Sequence, residues 1–416
     1  MNNQSFSSFN FQPFINEVIE QLYFKRPTNI QKEVIPLIKA GKSVIGESAT
    51  GTGKTHAYLL PLLNRLDSTK KEVQFVITSP TRELATQIYH EIKKISKLAH
   101  KEDEWTTRLL VGGMDRKQMQ QRLKSSPHIV VGTPGRILDL VLSGHLSIYT
   151  ARSFVIDEAD LMFELGLLEP IDQLLVRAKK DIQISAFSAT IPKPLELLLK
   201  KYLDQPVYIH IDESLTPETL QHHLIPLRHR ERADVIFELT KAFQPYLAII
   251  FTNGQEDATE LAKTLNEKGM AVGLLHGGMS QRERRRMLKQ IEQLHFQYIV
   301  ATDLVSRGID IAGVSHVINA QLPKEVNFYV HRVGRTARAG LEGMALSLYT
   351  EEDSALIHKL ESENVSFTFS DVREGELIPT RRRDLTKMVT KTRPKSRRKG
   401  HQKGNKQRHS PRRRKR

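Results

Sequence analysis

Residues 42–64 read KSVIGESATGTGKTHAYLLPLLN, an apolar run followed by a Gly-rich loop and then by a segment with helical spacing. A strand that leads through GxGKT into a helix is typical of a phosphate-binding loop, because its glycines let backbone N–H groups point at phosphate oxygens. Lys54 can reach the terminal phosphates, and the Thr55 hydroxyl can bind Mg²⁺. The stretch therefore predicts a nucleotide-binding loop formed by Ser48, Ala49, Thr50, Gly51, Thr52, Gly53, Lys54 and Thr55.

The same unit, an apolar run followed by a helix-like segment, recurs along the chain. Most runs are β-branched and apolar throughout, as strands buried on both faces should be. The alternation predicts an α/β fold with parallel sheets. It restarts once after a polar stretch, so we predict two tandem domains, residues 1–211 and 219–380, with a linker over 212–218. The predicted strands are Lys42–Gly46, Gln74–Pro80, Leu109–Gly113, His128–Pro134, Ser153–Glu158, Gln183–Thr190, Leu247–Asn253, Ala271–Gly277, Gln297–Asp303, His316–Leu322 and Met344–Thr350.

Polar and charged residues follow directly after these runs, at the strand ends where ligands bind in open parallel sheets. Asp157 and Glu158 begin the sequence DEAD, immediately after the run SFVI. An acid at such a strand end can hold Mg²⁺, and Asp157 suits this role through water because Mg²⁺ keeps much of its hydration. Glu158 can orient and deprotonate the attacking water. An acidic helix cap would look the same in isolation, but the pairing with GTGKT favours catalysis.

A cluster of arginines lies in the sequence HRVGRTARAG of the second half. Arg332, Arg335 and Arg338 could line a solvated helix face, and the cluster alone favours that interpretation. Phosphoryl transfer, however, needs positive charge on the γ-phosphate, and the first domain supplies mainly Lys54. An arginine donated by a second domain would meet this need and would make hydrolysis depend on domain closure.

Composition limits the classes of protein to which the chain can belong. Its 416 residues allow two domains with full cores. No apolar stretch approaches the roughly 20 residues of a membrane helix, and the polar N-terminus is not a signal peptide. The absence of cysteine excludes a disulfide framework and a thiolate metal site, and it suits a cytoplasmic location. The histidines show no metal-binding spacing, and His222, His223 and His229 are predicted to be surface residues.

Positive charge is concentrated at the end of the chain. Residues 381–416 contain eighteen Lys and Arg and one acid, a net charge of +17 against +16 for the whole chain. The segment has no aromatic residue and cannot build a core, so we predict a disordered basic tail. Such a charge favours nucleic acid as a partner over a solvated terminus without one.

These motifs, in this order, resemble those of the DEAD-box ATP-dependent RNA helicases. The first half contains FKRPTNIQ, SATGTGKT, PTREL, GG, TPGR, DEAD and SAT, and the second contains IIFTN, HGGMSQRER, ATDLVSRGID and HRVGRTARAG. The resemblance extends from Phe6 to Tyr349. It implies two RecA-like domains with ATP between them and RNA across them. The run GTGKTHAYLLPLLN and the basic tail are most similar to the cold-shock helicases of Gram-positive bacteria, particularly the CshB type.

The resemblance also assigns roles at the nucleotide. Phe24 would stack on adenine and Gln31 would hydrogen-bond its edge, which implies ATP, and Phe6 matches an upstream aromatic residue. Asp310 would lie near the ribose. The two arginine fingers would be Arg335 and Arg338.

On the RNA side, the resemblance implies contacts with the sugar–phosphate backbone and a link to hydrolysis. Ser188 and Thr190 would couple hydrolysis to strand separation. The residues implied at the RNA backbone are Arg82, Gly113, Thr133, Arg136, Gln281, Arg284, Thr302 and Asp303.

Two positions depart from the family pattern. Tyr23 stands where the family usually has Gly before the adenine-stacking Phe24, and Ala337 replaces the usual Gly between the two finger arginines. The extra methyl group of Ala337 is expected to slow turnover. Neither change removes a reacting group.

The expected function is ATP-dependent and Mg²⁺-dependent unwinding of RNA. Backbone contacts imply single-stranded or short duplex RNA with little sequence preference. The subgroup implies cold-stress RNA remodelling or ribosome assembly, with ribosomal precursors or the RNA-degradation machinery as partners and no membrane. Two alternatives stay open, an ATP-dependent RNA clamp with slow hydrolysis and a DNA helicase or translocase, because nothing local in the motifs reads a 2′-hydroxyl.

Overall fold

Two β-sheets organise the described part of the chain. The structure is a computed structural model that describes residues 5–49, 51–113, 115–203, 206–211, 216–217, 219–303, 311, 313–337 and 341–380, apart from the side chains of Arg116 and Gln281. Thr50, Asp310, Arg338, most of the predicted linker and the predicted tail over 381–416 lie outside these residues.

The first sheet is entirely parallel. Its strands are β1 (Val44–Glu47), β2 (Phe75–Thr78), β3 (Thr107–Leu110), β4 (Ile129–Gly132), β5 (Ser153–Ile156), β6 (Gln183–Ser188) and β7 (Val207–His210). They lie in the order β3-β4-β2-β5-β6-β1-β7. The Gly-rich loop after β1, the SAT motif at the end of β6 and the DEAD motif after β5 therefore lie at the same edge of the sheet.

Helices cover both faces of this sheet. They are α1 (Pro13–Gln21), α2 (Asn29–Lys39), α3 (Lys54–Asn64), α4 (Arg82–Leu98), α5 (Arg116–Arg122), α6 (Pro134–Leu142), α7 (Ala159–Glu164), α8 (Leu168–Arg177) and α9 (Lys193–Tyr202), after a short 3-10 turn at Phe6–Phe9. Helices α1 to α4 bury one apolar cluster and α5 to α9 bury another. The neighbouring residues Ala186 and Phe187 of β6 belong to different clusters, because strand side chains alternate between faces.

The second sheet repeats the plan. Its strands are β8 (Leu220–Pro226), β9 (Ala248–Thr252), β10 (Val272–Leu275), β11 (Tyr298–Thr302), β12 (His316–Asn319), β13 (Gly343–Tyr349), β14 (Phe367–Arg373) and β15 (Glu376–Pro379), in the order β10-β11-β9-β12-β13-β8-β14-β15. Only the β14–β15 pair is antiparallel among these strands. Its helices are α10 (Arg232–Ala242), α11 (Gln255–Glu267), α12 (Gln281–Glu292), α13 (Val326–Val333) and α14 (Ser354–Ser362), with a 3-10 turn at Glu351–Asp353.

The predicted α/β class with parallel sheets is confirmed, and each predicted strand is present within a few residues. Four further strands, β7, β8, β14 and β15, were not predicted. Their sequences VYIH, LQHHLIP, FTFSDVR and ELIP mix polar and apolar residues rather than forming apolar runs. Side chains of these strands alternate between the protein interior and solvent. The strands therefore lack the apolar runs from which the other strands were predicted.

The prediction that His222 and His223 are surface residues is wrong. His222 is only 5% exposed and His223 is half-buried, because β8 lies inside the second sheet between β13 and β14. Both nitrogens of His222, and Nδ1 of His223, lie within hydrogen-bond distance of hydroxyl groups. His229, in the loop after β8, is exposed as predicted.

Tyr23 adopts a left-handed backbone conformation, with φ of +57°, and its side chain is 87% exposed. A left-handed conformation strains a bulky residue by about 1–2 kcal/mol, whereas glycine adopts it freely. We expect Tyr23→Gly to raise the free energy of unfolding of the first domain by about 0.5–1 kcal/mol, since little packing is lost and the entropy of glycine offsets part of the gain. Urea unfolding followed by circular dichroism measures this change.

Tyr23→Ala provides the matched control for this prediction. Alanine removes the same ring but keeps a Cβ in the left-handed region, so it should bring no comparable gain. Equal stabilisation by both substitutions would show that the ring, and not the backbone conformation, is the source of strain.

Candidate active site

The Gly-rich loop is shaped by backbone conformations that require glycine. Gly51 and Gly53 have φ of +82° and +91°, and a Cβ on Gly53 would lie 2.6 Å from Nε2 of Gln31. Lys54 begins α3 and is buried, with its Nζ donating to the carbonyl oxygens of Ser48 at 2.7 Å and Ala49 at 3.0 Å. These hydrogen-bond partners are neutral carbonyl groups, so a phosphate could replace them with a stronger, charge-assisted bond.

Hydroxyl groups of the same loop hold one another. The Thr52 hydroxyl lies 2.8 Å from that of Ser48, and it also donates to the Ala49 carbonyl at 2.8 Å. Serine at the position where the general pattern begins with glycine thus contributes to the shape of the loop.

Gln31 ties helix α2 to the loop. Its Oε1 accepts from the backbone N–H of Thr28 at 3.0 Å, and its Nε2 donates to the Gly53 carbonyl at 3.2 Å. An amide carries two donors and two acceptor sites, so one of each stays available for a base edge. Phe24 is half-buried between Phe6, whose ring centroid is 6.2 Å away, and His56 at 4.8 Å. The adenine-binding roles of Phe24 and Gln31 stay predictions.

Asp157 is buried directly after β5, where its Oδ2 accepts from the Tyr58 hydroxyl at 2.9 Å. Burial, together with the neighbouring charge of Glu158, raises the pKa of Asp157 to about 7. Thr55 and Asp157 both lie beside the Tyr58 hydroxyl, whose own pKa burial raises. A hydroxyl and an undercompensated carboxylate are the oxygen donors that Mg²⁺ prefers, so these two residues fit that ion.

Glu158 has a strained backbone conformation, and its carboxylate does not cap the helix that it begins. Its φ of +51° is left-handed, and its backbone N–H donates to Oδ1 of Asp157 at 3.1 Å. It occupies the N-cap position of α7, but its side chain makes no capping hydrogen bond. The alternative interpretation as an acidic helix cap is therefore not supported. Strained residues cluster at functional sites, which agrees with a catalytic role.

Arg332, on helix α13, and Arg335, just after it, have different surroundings. Arg332 is only 1% exposed, and its guanidinium donates to both carboxylate oxygens of Asp303 at 2.5 and 2.7 Å. It also donates to Asn253 Oδ1 at 2.8 Å, so Arg332 is a structural residue and not part of a solvated face. Arg335 follows the helix, half-buried, with its Nε donating to the His331 carbonyl at 3.1 Å.

Ala337, the second departure from the family pattern, lies at a constrained position. Its φ is +55°, and it is 5% exposed. A Cβ on Gly343 would lie 2.9 Å from the Ala337 methyl group, so the two residues depend on each other's size. The effect of Ala337 on turnover stays a prediction.

Three polar contacts join motifs of the first sheet to residues of the second. Asn327 Nδ2 of α13 donates to the Thr190 hydroxyl at 3.0 Å, and His331 Nε2 lies 3.5 Å from Asp160 Oδ2. Arg284 Nη1 of α12 donates to Glu83 Oε1 at 2.6 Å. The SAT, DEAD and PTREL motifs therefore each have a partner on the second domain.

The DEAD and SAT motifs also contact each other. The backbone N–H of Asp160 donates to the Ser188 hydroxyl at 3.0 Å. Burial opposes ionisation of Asp160, but the contact with His331, the backbone N–H of Leu161 and the charge of Lys54 together lower the pKa of this carboxyl. Glu158, Asp160 and His331 bring one ligand atom each within 4.8 Å of one another, a grouping that sequence spacing did not reveal. An imidazole suits transition metals better than Mg²⁺, so the oxygen donors Thr55 and Asp157 remain the better Mg²⁺ candidates.

The residues predicted at the RNA backbone follow strand ends at the carboxyl edges of the two sheets. Arg82 begins α4 after β2, and a Cβ on Gly112 would lie 2.7 Å from its Nη2, so the GG motif gives this side chain room. Thr302, at the end of β11, has a buried hydroxyl without a hydrogen-bond partner in the described structure. The others are Gly113 after β3, Thr133 and Arg136 at the start of α6, Gln281 and Arg284 at the start of α12, and Asp303 after β11.

Arg284 and Asp303 are engaged within the protein, with Glu83 and Arg332 respectively. Their contacts with RNA stay predictions. Sequence reasoning also missed residues that support the site, namely Tyr58, Asp160, Asn327 and His331. Tyr58 offered one signal, since it lies a helical turn after Lys54 and must share its surroundings.

Comparison with known proteins agrees with this arrangement. Residues 28–198 match the model of the DEAD/DEAH box helicase family, and residues 231–340 match the helicase conserved C-terminal domain. The chain is 47% identical to the DEAD-box ATP-dependent RNA helicase CshB of Bacillus cereus over 90% of this chain and 87% of that protein. The chain therefore belongs to the DEAD-box helicase family. CshB of Bacillus subtilis is also 47% identical, over 90% of this chain and 86% of that protein, so the predicted CshB-type resemblance is confirmed.

Solved structures share the fold at lower identity. Dbp5 of S. cerevisiae bound to RNA and ADP BeF3 aligns with a TM-score of 0.80 and 26% identity, covering 89% of this chain and 96% of that one. Mss116p bound to ssRNA and AMP-PNP aligns with a TM-score of 0.78 and 26% identity, covering 90% and 81% respectively. The RecA-like fold of both domains is thus confirmed. None of the helices in the described ranges is long and apolar enough to cross a membrane.

Proposed function

We propose that this protein is an ATP-dependent RNA helicase that opens short duplexes locally. The contacts of Thr190, Asp160 and Glu83 with the second domain carry this proposal, because they connect nucleotide-side motifs to the domain that supplies Arg335. The names of the CshB relatives and the RNA in the aligned Dbp5 and Mss116p complexes favour RNA as the substrate.

In the proposed reaction, ATP binds at the Gly-rich loop and Lys54 exchanges its carbonyl partners for phosphate oxygens. Glu158 takes a proton from the attacking water. Mg²⁺, held by Thr55 and Asp157 through water, would neutralise charge on the β- and γ-phosphates. Arg335 and Arg338 would stabilise the charge that develops on the transferred phosphoryl group, which is possible only while the two domains are closed.

RNA would lie across the strand ends of both sheets, in contact with its backbone. Closure of the domains on one strand would bend it, and a duplex cannot follow that bend. Ser188 and Thr190 would transmit the state of the nucleotide, since they contact Asp160 and Asn327 respectively. The proposal also includes four points that rest on the sequence. They are the linker over 212–218, a cytoplasmic location, a cold-stress role, and ribosomal precursors or the RNA-degradation machinery as partners.

Steady-state ATP hydrolysis, with single-stranded RNA or DNA of the same sequence, tests the proposal. We expect strong stimulation by RNA alone, together with separation of a short RNA duplex. Equal stimulation by DNA would favour the alternative of a DNA translocase. Slow hydrolysis with long residence on RNA and no duplex separation would favour the RNA clamp.

The basic tail supplies a separate prediction. Removal of residues 381–416 should weaken RNA binding and flatten its salt dependence, because each phosphate that the tail engages releases a counterion. Engagement of ~6 phosphates on single-stranded RNA would contribute a slope of about −4 in a plot of log K against log salt. Fluorescence anisotropy at several salt concentrations measures the slope.

A tail of the same length in which every Lys and Arg is replaced by Gln separates charge from chain length. We expect this variant to behave like the truncation. A slope that stays the same in both variants would mean that the tail does not bind the RNA backbone.

A further inference from the structure

His222 lies at the centre of a buried hydrogen-bonded chain that no sequence motif includes. Its Nδ1 lies 2.8 Å from the Tyr329 hydroxyl, and its Nε2 lies 3.0 Å from the Thr216 hydroxyl. The ring also packs against Tyr329 and Phe367, with centroids 5.8 and 5.9 Å away. Both nitrogens therefore have hydroxyl partners and two aromatic rings pack against the imidazole, which fixes its orientation.

The imidazole remains neutral in this environment. Burial, with a smaller contribution from the neighbouring His223, lowers the pKa of His222 to about 4. A neutral imidazole has one N–H donor and one acceptor nitrogen. One hydroxyl must therefore donate to the ring and the other must accept from it, so the three side chains form a directional chain.

The two ends of this chain belong to elements with different tasks. Tyr329 is fully buried on α13, the helix whose Asn327 and His331 contact Thr190 and Asp160 of the first domain and which Arg335 follows. Thr216, also buried, belongs to the segment between the last strand of the first sheet and β8. His222 thus joins the connection between the domains to the helix that meets the nucleotide-side motifs.

We propose that His222 is a positioning residue that couples the interdomain connection to helix α13 and so sets the place of Arg335 and His331 at the nucleotide. It touches neither ATP nor RNA in this role. The inference rests on the proposed function, because it assigns a task to α13 in ATP turnover. Small displacements of a catalytic group away from the reacting atoms cost large factors in rate, so loss of this link should lower turnover more than binding.

Tyr329→Phe and Thr216→Val each remove one hydroxyl at nearly constant shape. We expect either change to lower RNA-stimulated kcat about tenfold while KM for ATP and half-saturating RNA change by less than about threefold. His222→Leu should lower kcat at least as much, and His222→Gln should recover part of it because an amide again offers a donor and an acceptor. Combined with His222→Leu, Tyr329→Phe should lower kcat by less than it does alone, since the bond between the two side chains is already broken and only the bond of Tyr329 to Ser347 remains to be lost.

His223→Leu is the matched control. His223 is the next residue on β8, is half-buried, and bonds the Ser370 hydroxyl at 3.0 Å instead of α13. A structural role alone would lower the thermal unfolding midpoint of both histidine variants and leave kcat below the transition unchanged, and this outcome would overturn the inference. Wild-type protein without RNA-stimulated hydrolysis would instead refute the proposed function, before any variant is compared.

Discussion

Glu158→Gln should remove RNA-stimulated ATP hydrolysis while ATP and RNA still bind. Glutamine keeps the shape of the side chain and the left-handed N-cap position, but it cannot accept a proton from water. Loss of a positioned general base typically lowers the rate by about 10²–10⁴-fold. The N–H of residue 158 that donates to Asp157 belongs to the backbone, so the Asp157 carboxylate, the proposed Mg²⁺ ligand, should keep this contact. Phosphate release measures kcat, and ATP-dependent retention of RNA measures binding.

Glu102→Gln is a suitable control because it is the same chemical change at a different position. Glu102 is exposed in a turn after α4, outside the Gly-rich loop and the DEAD motif. Activity of the Glu158 variant within about tenfold of wild type would assign water activation to another group. Loss of ATP binding together with hydrolysis would show instead that the carboxylate holds the nucleotide and not the proton.

The residues that sequence reasoning located well are those fixed by strand ends. In a parallel sheet every strand delivers its next residue to the same edge, so GTGKT, DEAD and SAT had to meet once their strands were recognised. No knowledge of side-chain packing was needed. The same reasoning placed Thr302 and Asp303 at the corresponding edge of the second sheet, but it could not show that Arg332 binds Asp303, because that pair depends on how α13 packs.

Strand β8 illustrates the opposite case. LQHHLIP reads as polar, and nothing local states that β13 and β14 will enclose it. Burial of His222 is a property of the strand order, which periodicity does not contain. The imidazole tolerates burial because Tyr329 and Thr216 supply hydroxyl partners, and these lie 107 and 6 positions away in the sequence.

Positions with a strained backbone form a third class. Departures from the family pattern indicated two of these positions, whereas the chemistry of their side chains did not. Tyr23 and Ala337 attracted notice only as departures from glycine, and both have φ near +55°. Glycine is favoured at such positions because it lacks a Cβ. Glu158 shares the conformation but cannot be glycine without losing its carboxylate, which agrees with the proposed role of this carboxylate as general base.

Arg335→Ala should lower RNA-stimulated kcat by at least about 10³-fold, the effect of removing an arginine finger in phosphoryl transfer. Arg335→Lys should recover only a small part, because an ammonium group lacks the planar, multi-donor geometry of guanidinium. The Arg335 Nε donates to the carbonyl oxygen of His331, and the thermal unfolding midpoint of each variant shows whether its fold is kept. Single-turnover phosphate release with saturating RNA separates this loss from weaker binding.

Arg332→Lys should mainly lower thermal stability, whereas Arg335→Ala should mainly lower kcat. The two variants therefore distinguish the two arginines of the motif. Arg332 is buried, and Lys would leave Asp303 and Asn253 without their fork of donors. Each buried hydrogen bond to a charged group contributes about 1.5–3 kcal/mol, and Lys cannot replace all of those that Arg332 donates, so the thermal unfolding midpoint should fall sharply. If the Arg332 variant is stable but does not hydrolyse ATP, and the Arg335 variant hydrolyses it normally, then Arg332 and not Arg335 is the arginine finger. The finger would then lie within helix α13. The opposite pattern would mean that closure of α13 on the first domain delivers Arg335 to the phosphate, which is the step at which RNA binding can control hydrolysis.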